Sequence, residues 1–237
     1  MRPPFWKMAA PGEKTDGPRQ DRCRVSPSLL THLHMFPIIA VFHASSRHIV
    51  QDTTDLLNEL SAIGLLPEGT ILATMGVESL YSNIPYQDGL NACKFFLENT
   101  GTDADYVVKL IKFILTHNYF EFHKKIYLQE TGTAMGSKMA PQYANVFMAK
   151  LESDFLSSCL IMPLAYYRYI DDILIIWTES EQQLKTFHEQ FNQFHPTINL
   201  TLNYSCTEIN FLDTIIKLQN NKIETSLSEA NRPSNIP

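Results

Sequence analysis

The run Tyr167-Arg168-Tyr169-Ile170-Asp171-Asp172-Ile173-Leu174-Ile175-Ile176-Trp177 places two adjacent carboxylates between two apolar, β-favouring stretches. The flanks predict strands, and the Asp171-Asp172 junction predicts the tip of the hairpin that joins them. Tight hairpins favour Asn-Gly or Asp-Gly, because glycine supplies the positive φ; a second aspartate supplies only repulsion. Two carboxylates side by side at the mouth of a rigid hairpin make chemical sense if a divalent cation neutralises them. The plainer alternative is a solvated turn that holds two acids.

The chain has 237 residues, enough for one sizeable core, and its 44% hydrophobic content is ordinary for a globular protein. A net charge of −6 is the wrong sign for a surface that tracks a phosphate backbone. An acidic catalytic centre remains compatible with it, but the basic parts of a complete nucleic-acid enzyme are not in evidence. Cys23, Cys93, Cys159 and Cys206 are scattered without a C-x-x-C pair, so neither a zinc site nor a disulfide framework is signalled. Residues 1–24 lack the apolar core of a signal peptide. The apolar run at 35–42 is broken by Pro37 and too short to span a bilayer.

Residues 1–30 are rich in Pro, Gly and charge, which predicts disorder. Asp52 offers an N-cap to a helix carrying Leu56, Leu57, Leu60 and Ile63 and stopped by Gly64. A buried strand is expected over 70–75, helices over 86–99 and 104–117, and a hairpin over 119–129 around His123-Lys124-Lys125. One long helix is expected over 139–159, with Pro141 in its first turn. After the two-aspartate hairpin come a helix over 180–194 and strands over 198–204, 210–218 and 223–227. This order predicts an α+β fold, a sheet backed by helices on one face.

Four blocks carry a family resemblance. Tyr169-Ile170-Asp171-Asp172 resembles the catalytic motif of reverse transcriptases. The stretch from Gly132-Thr133-Ala134-Met135-Gly136-Ser137-Lys138-Met139-Ala140-Pro141 into Gln142-Tyr143-Ala144-Asn145 resembles the Penelope-like retroelement branch of that superfamily. So do Ser79-Leu80-Tyr81-Ser82-Asn83-Ile84-Pro85 and Asn210-Phe211-Leu212-Asp213-Thr214. The resemblance implies a polymerase palm with an antiparallel sheet backed by helices, here with partial fingers and no thumb. It implies the boundaries 1–48 (disordered or outside the family), 49–227 (palm with partial fingers) and 228–237 (unstructured tail). The activity implied is RNA-directed DNA polymerisation, a nucleotidyltransferase reaction on an RNA template, a DNA primer and deoxynucleoside triphosphates.

Such polymerases use two Mg2+ or Mn2+ ions about 4 Å apart, held by carboxylates from two strands. The resemblance assigns catalysis and metal binding to Asp171 and, as a second ligand, Asp172. It puts the other aspartate directly after the strand at 71–75, where this chain has Gly76. Glycine cannot bridge two metals. One base substitution converts an Asp codon to Gly, as expected in a decayed retroelement copy, so the resemblance implies an inactive enzyme. Glu78 is a poor substitute, because residues two apart on a strand stand roughly 6–7 Å from each other.

Tyr81 is implied under the incoming sugar, and Gly132, Gly136 and Ser137 close to the nascent base pair, where glycine lets a nucleotide approach the backbone. Each also has a structural reading: Tyr81 as a core tyrosine, and the glycines as turn residues needing positive φ. Lys138 is read as solvated and Asp213 as structural. His117, His123, His188 and His195 fall on separate elements and suggest no metal site. The competing function is a non-catalytic palm-fold binding module for protein or nucleic acid. No membrane partner is expected. The family works on chromosomal DNA, which implies the nucleus.

Overall fold

The computed structural model describes residues 6–8, 49–98, 100–123, 125–134 and 139–228. The chain falls into two units, Met1–Ser46 with Ser79–Ser153, and Arg47–Glu78 with Asp154–Pro237.

The second unit is built on β2 (Ile71–Val77), which lies between β6 (Asp172–Trp177) and β7 (Leu200–Ser205). With β5 (Ala165–Tyr169) outside β6, the sheet order is β5-β6-β2-β7, antiparallel throughout. β2 and β6 read as near-continuous apolar runs because both their faces are covered: Ile173 to Trp177 are all buried. On one face Leu72, Leu174 and Ile176 pack with Leu56 and Leu60 of α1 (Thr53–Ser61) and with Phe211 and Ile216. The last two come from a second antiparallel sheet of β8 (Glu208–Phe211), β9 (Thr214–Gln219) and β10 (Lys222–Leu227). On the other face Trp177 meets Phe187 of α6 (Glu181–Phe194), and Phe155 stacks on Phe191 at 4.2 Å between ring centroids. Coverage on both faces corrects the expectation of helices on one face only.

Two helix starts follow the sequence closely. Asp52 accepts from the Asp55 amide at 2.8 Å, and Ser180 forms a capping box with Gln183. Two turns do not follow it. Tyr169 pairs with Asp172, so the hairpin loop is Ile170-Asp171 and Asp172 already belongs to β6; the tip is one residue earlier than Asp171-Asp172. The single strand expected over 210–218 is two strands, with Phe211 paired to Thr214 around Leu212-Asp213. Leu212 reverses the chain at φ 52°, a conformation that a leucine does not advertise in sequence.

In the first unit β4 (Lys125–Gln129) pairs with β3 (Tyr119–Phe122) and with β1 (Trp6–Met8). β1 is a correction within the segment expected to lack structure; the apolar run at 35–42 lies outside the described residues. A four-residue helix α2 (Leu80–Asn83), unpredicted, is followed by α3 (Tyr86–Leu97) and α4 (Ala104–Thr116), which bury Leu90, Leu97, Val107, Ile111 and Leu115. The Tyr86 hydroxyl donates towards the carbonyls of Leu115 and Gln129 at 2.9 and 2.8 Å, tying α3 to the end of α4 and to β4. The unit boundary falls within the long helix α5 (Ala140–Ser158), after Ser153. In the first unit the α5 residue Tyr143 lies against Gly89 of α3, where any β-carbon would run into its ring and hydroxyl.

Candidate active site

The two carboxylates sit at the end of the β5–β6 hairpin, beside the end of β2. Gly76 faces Asp172 in the β2–β6 register and Thr201 in the β2–β7 register. A β-carbon placed on Gly76 would stand 3.8 Å from Asp172 Oδ1 and 3.3 Å from Thr201 Oγ1. Gly76 lies inside a regular strand, without the positive φ that would call for glycine. The Thr201 hydroxyl lies beside it, 3.3 Å from the Gly76 nitrogen and 3.4 Å from its carbonyl oxygen.

The turn itself is held from two sides. The Val77 amide donates to the Asp171 carbonyl at 2.8 Å, and Arg168 Nη1 donates to the Ile170 carbonyl at 2.9 Å. Ile170 sits at φ 54°, which costs an L-residue roughly 1–2 kcal/mol and is rare for a β-branched one. Burial of its carboxyl, with the Asp171 charge next to it, pushes Asp172 above the ordinary carboxylate value. Part of Asp172 remains exposed.

The expected divalent ions can be tested against this donor set. Asp171 and Asp172 are adjacent, and the position facing Asp172 is Gly76. Glu78 follows β2 as an exposed residue, its amide donating to the Asn199 carbonyl at 2.9 Å. Among the described residues no three His, Cys, Asp or Glu side chains gather where they could hold a metal ion, so Glu78 does not complete a triad with the two aspartates. The residues present do not fit a two-ion site.

In the first unit the structure brings two of the nucleotide-site candidates together. Gly132, at φ 72°, packs against the backbone of Tyr81 and Ser82; a β-carbon there would meet the Tyr81 carbonyl and come 2.6 Å from Ser82 Cα. The Thr133 amide donates to the Tyr81 carbonyl at 2.6 Å and the Gly132 amide to the Ile84 carbonyl at 3.2 Å. Glycine at 132 is therefore required by the chain's own packing. Tyr81 is half-buried on α2, after Ser79 at φ 50°. Gly136, Ser137 and Lys138 lie outside the described residues. Asp213 is the second residue of the β8–β9 loop, its carbonyl accepting from the Ser228 amide at 2.9 Å.

Sequence reasoning missed Thr201, Arg168 and Ile170. Thr201 stands in an unremarkable polar strand and gains its place only from strand pairing. Arg168 did carry a signal: a cation inside the apolar series Tyr166, Tyr167, Tyr169 is expensive to bury unless it has work to do. Other chemistries find no support. Burial raises the Cys93 thiol to about 12, the wrong direction for a nucleophile. No helix among the described residues is long and apolar enough to cross a membrane.

Comparisons with known proteins bear on the same region. A search of curated protein sequences finds no match. Among solved structures, apo telomerase from Candida tropicalis superposes with a TM-score of 0.66 at 8% identity, covering 84% of this chain and 40% of that one. Telomerase from Candida albicans, in complex with a fragment of telomeric RNA, gives 0.65 at 10% identity, covering 86% and 40%. The RNA-dependent RNA polymerase of BmCPV gives 0.57 at 11%, covering 78% and 19%. These likenesses establish a polymerase palm-like fold, and this chain spans less than half the length of each. A sequence profile described as reverse transcriptase (RNA-dependent DNA polymerase) matches residues 22–223, beginning ahead of residue 49, the boundary at which the palm was expected to start. Since that match takes in most of the sequence and includes the two-aspartate hairpin and its partner strand, the chain belongs to the reverse transcriptase (RNA-dependent DNA polymerase) family.

Proposed function

We propose that this chain is a reverse transcriptase palm of Penelope-like retroelement descent that no longer polymerises, a pseudoenzyme by loss of one carboxylate. The observation that carries this reading is the pairing of Gly76 with Asp172. Gly76 stands at the cross-strand position whose β-carbon would lie 3.8 Å from the Asp172 carboxylate, and that position has no side chain. Phosphoryl transfer between a primer hydroxyl and a nucleoside triphosphate rests on cations held between carboxylates of two strands. Asp171 is the principal remaining ligand and Asp172 the second, and an Mg2+ or Mn2+ site here is incomplete.

The nucleotide side of the site follows the same reading. Tyr81 lies under the incoming sugar, with Gly132, Gly136 and Ser137 near the nascent base pair. The partners are an RNA template, a DNA primer and a deoxynucleoside triphosphate. The Candida albicans telomerase structure, solved with telomeric RNA, supports a nucleic-acid partner in general. With a net charge of −6, binding is weak and falls steeply with salt.

Metal-dependent primer extension on an RNA template, comparing the chain with Gly76→Asp, tests the proposal. Extension by the substituted chain alone supports it. Extension by the unaltered chain overturns it. Silence from both, with nucleic acid still bound, moves the assignment to a non-catalytic palm-fold binding module.

A further inference from the structure

Arg168 is fully buried, at 0% exposure, in β5. Its backbone is fixed there: it pairs with Ile173, and its carbonyl accepts from the Val50 amide at 3.0 Å. Its side chain reaches two residues along the chain and donates from Nη1 to the Ile170 carbonyl at 2.9 Å. That carbonyl belongs to the residue held at φ 54°, in a two-residue hairpin loop whose strained first position favours glycine. The β9–β10 loop uses Asn220 and Asn221 at positive φ, and asparagine tolerates this backbone; isoleucine does not. A strained backbone persists only where its surroundings over-determine it. Here the surroundings are a cation clamping the first loop carbonyl and the Val77 amide holding the second. Val77 directly follows Gly76, so the clamp fixes the Asp171-Asp172 turn to the strand end that it faces.

We propose that Arg168 is a positioning residue: its guanidinium, bonded to the Ile170 carbonyl, holds the Ile170-Asp171 loop in the strained form that docks Asp171 against the end of β2. The clamp is independent of whether the site still polymerises. Its use, to pre-set the carboxylates for a cation, rests on the reading given under Proposed function. Lysine is a poor replacement, because its ammonium sits on a flexible stem and lacks the planar, pre-organised guanidinium that aims Nη1 at the carbonyl.

The test is amide hydrogen exchange at Val77, with Ile175 in the core of β6 as reference, in the full chain, Arg168→Lys and Arg168→Lys with Ile170→Gly. Protection at Val77 is expected to fall about tenfold in Arg168→Lys while Ile175 changes little, as local opening of the turn requires. Ile170→Gly removes the need for a clamp and is expected to restore most of that protection. An equal fall at Val77 and Ile175, or no recovery with glycine, overturns the proposal in favour of a merely structural arginine. If Arg168→Lys alone does not fold, recovery of a folded chain by Ile170→Gly carries the same coupling, and its failure overturns it.

A second readout takes these substitutions into a Gly76→Asp background and follows Mn2+ binding by the loss of free-ion EPR signal. Arg168→Lys is expected to weaken Mn2+ about tenfold, as loss of a supporting contact around a metal ligand does. Unchanged Mn2+ affinity overturns the positioning role. Absence of Mn2+ binding in Gly76→Asp itself counts against the functional reading, and the Val77 exchange still decides the clamp.

Discussion

Gly76 and Asp172 are cross-strand partners, and a β-carbon on Gly76 would lie 3.8 Å from the Asp172 carboxylate. Gly76→Asp therefore adds a third negative charge to a pair that already repels. Without a divalent cation the variant is expected to melt below the unaltered chain, by about 1 kcal/mol in stability, in part because Thr201 Oγ1 at 3.3 Å must give way. Adding Mn2+ should reverse the order, since a ligand that binds only the folded state stabilises it. Thermal melts with and without Mn2+ check both signs; a loss that Mn2+ does not recover argues that no site forms.

Asp172 gives a pH signature. Burial, with help from Asp171, raises its folded-state pKa above the ordinary 3.8. The folded chain therefore holds this proton more tightly than the unfolded one. The resulting stabilisation is fully present below the unfolded value and is lost as pH rises through the raised folded value. Asp172→Asn should be more stable than the unaltered chain at neutral pH, with the gap closing in acid. Melts from pH 7 down to about pH 3 measure it. A gap that stays constant with pH removes Asp172 from the account.

Thr214 carries a buried hydroxyl without a hydrogen-bond partner among the described residues, at 1% exposure in β9. Thr214→Val keeps the shape and removes the unsatisfied group, so a gain of about 1 kcal/mol is expected by urea unfolding. A loss would mean that the hydroxyl is satisfied in solution.

Gly89 lies inside α3, where alanine normally improves a helix by about 1 kcal/mol. Here the Tyr143 ring occupies the β-carbon's place, so Gly89→Ala should destabilise instead, by about 2 kcal/mol. Combining it with Tyr143→Leu should recover part of the loss. Additive losses, read from a double-mutant cycle, would place the cause elsewhere.

Much of the local structure was already legible in the residues. Asp52 and Ser180 announce helix starts because their side chains cap free amides within three residues. Ile173 to Trp177 announce a strand because the run is apolar and rich in β-favouring residues; that both its faces are covered emerged only from the structure. The Asp171-Asp172 pair, and the motifs around it, were enough to suggest the family that the profile match then established. What sequence could not supply was register. Whether a loop begins at Ile170 or Asp171, or a strand turns at Leu212, depends on which partner's amides and carbonyls the chain meets, and positive φ in Ile and Leu leaves no mark in a propensity. The same holds for the neighbours of Gly76. That Thr201 lies beside it follows from β2 and β7 pairing across 125 residues of chain, and that Arg168 turns back two residues to grip the loop follows from where the β5–β6 register places that loop. The sequence by itself determined which residues carry charge and which strands are buried, since those follow from side-chain chemistry and period. Only the tertiary structure decided which of them face one another, because pairing is set by hydrogen bonds between distant segments.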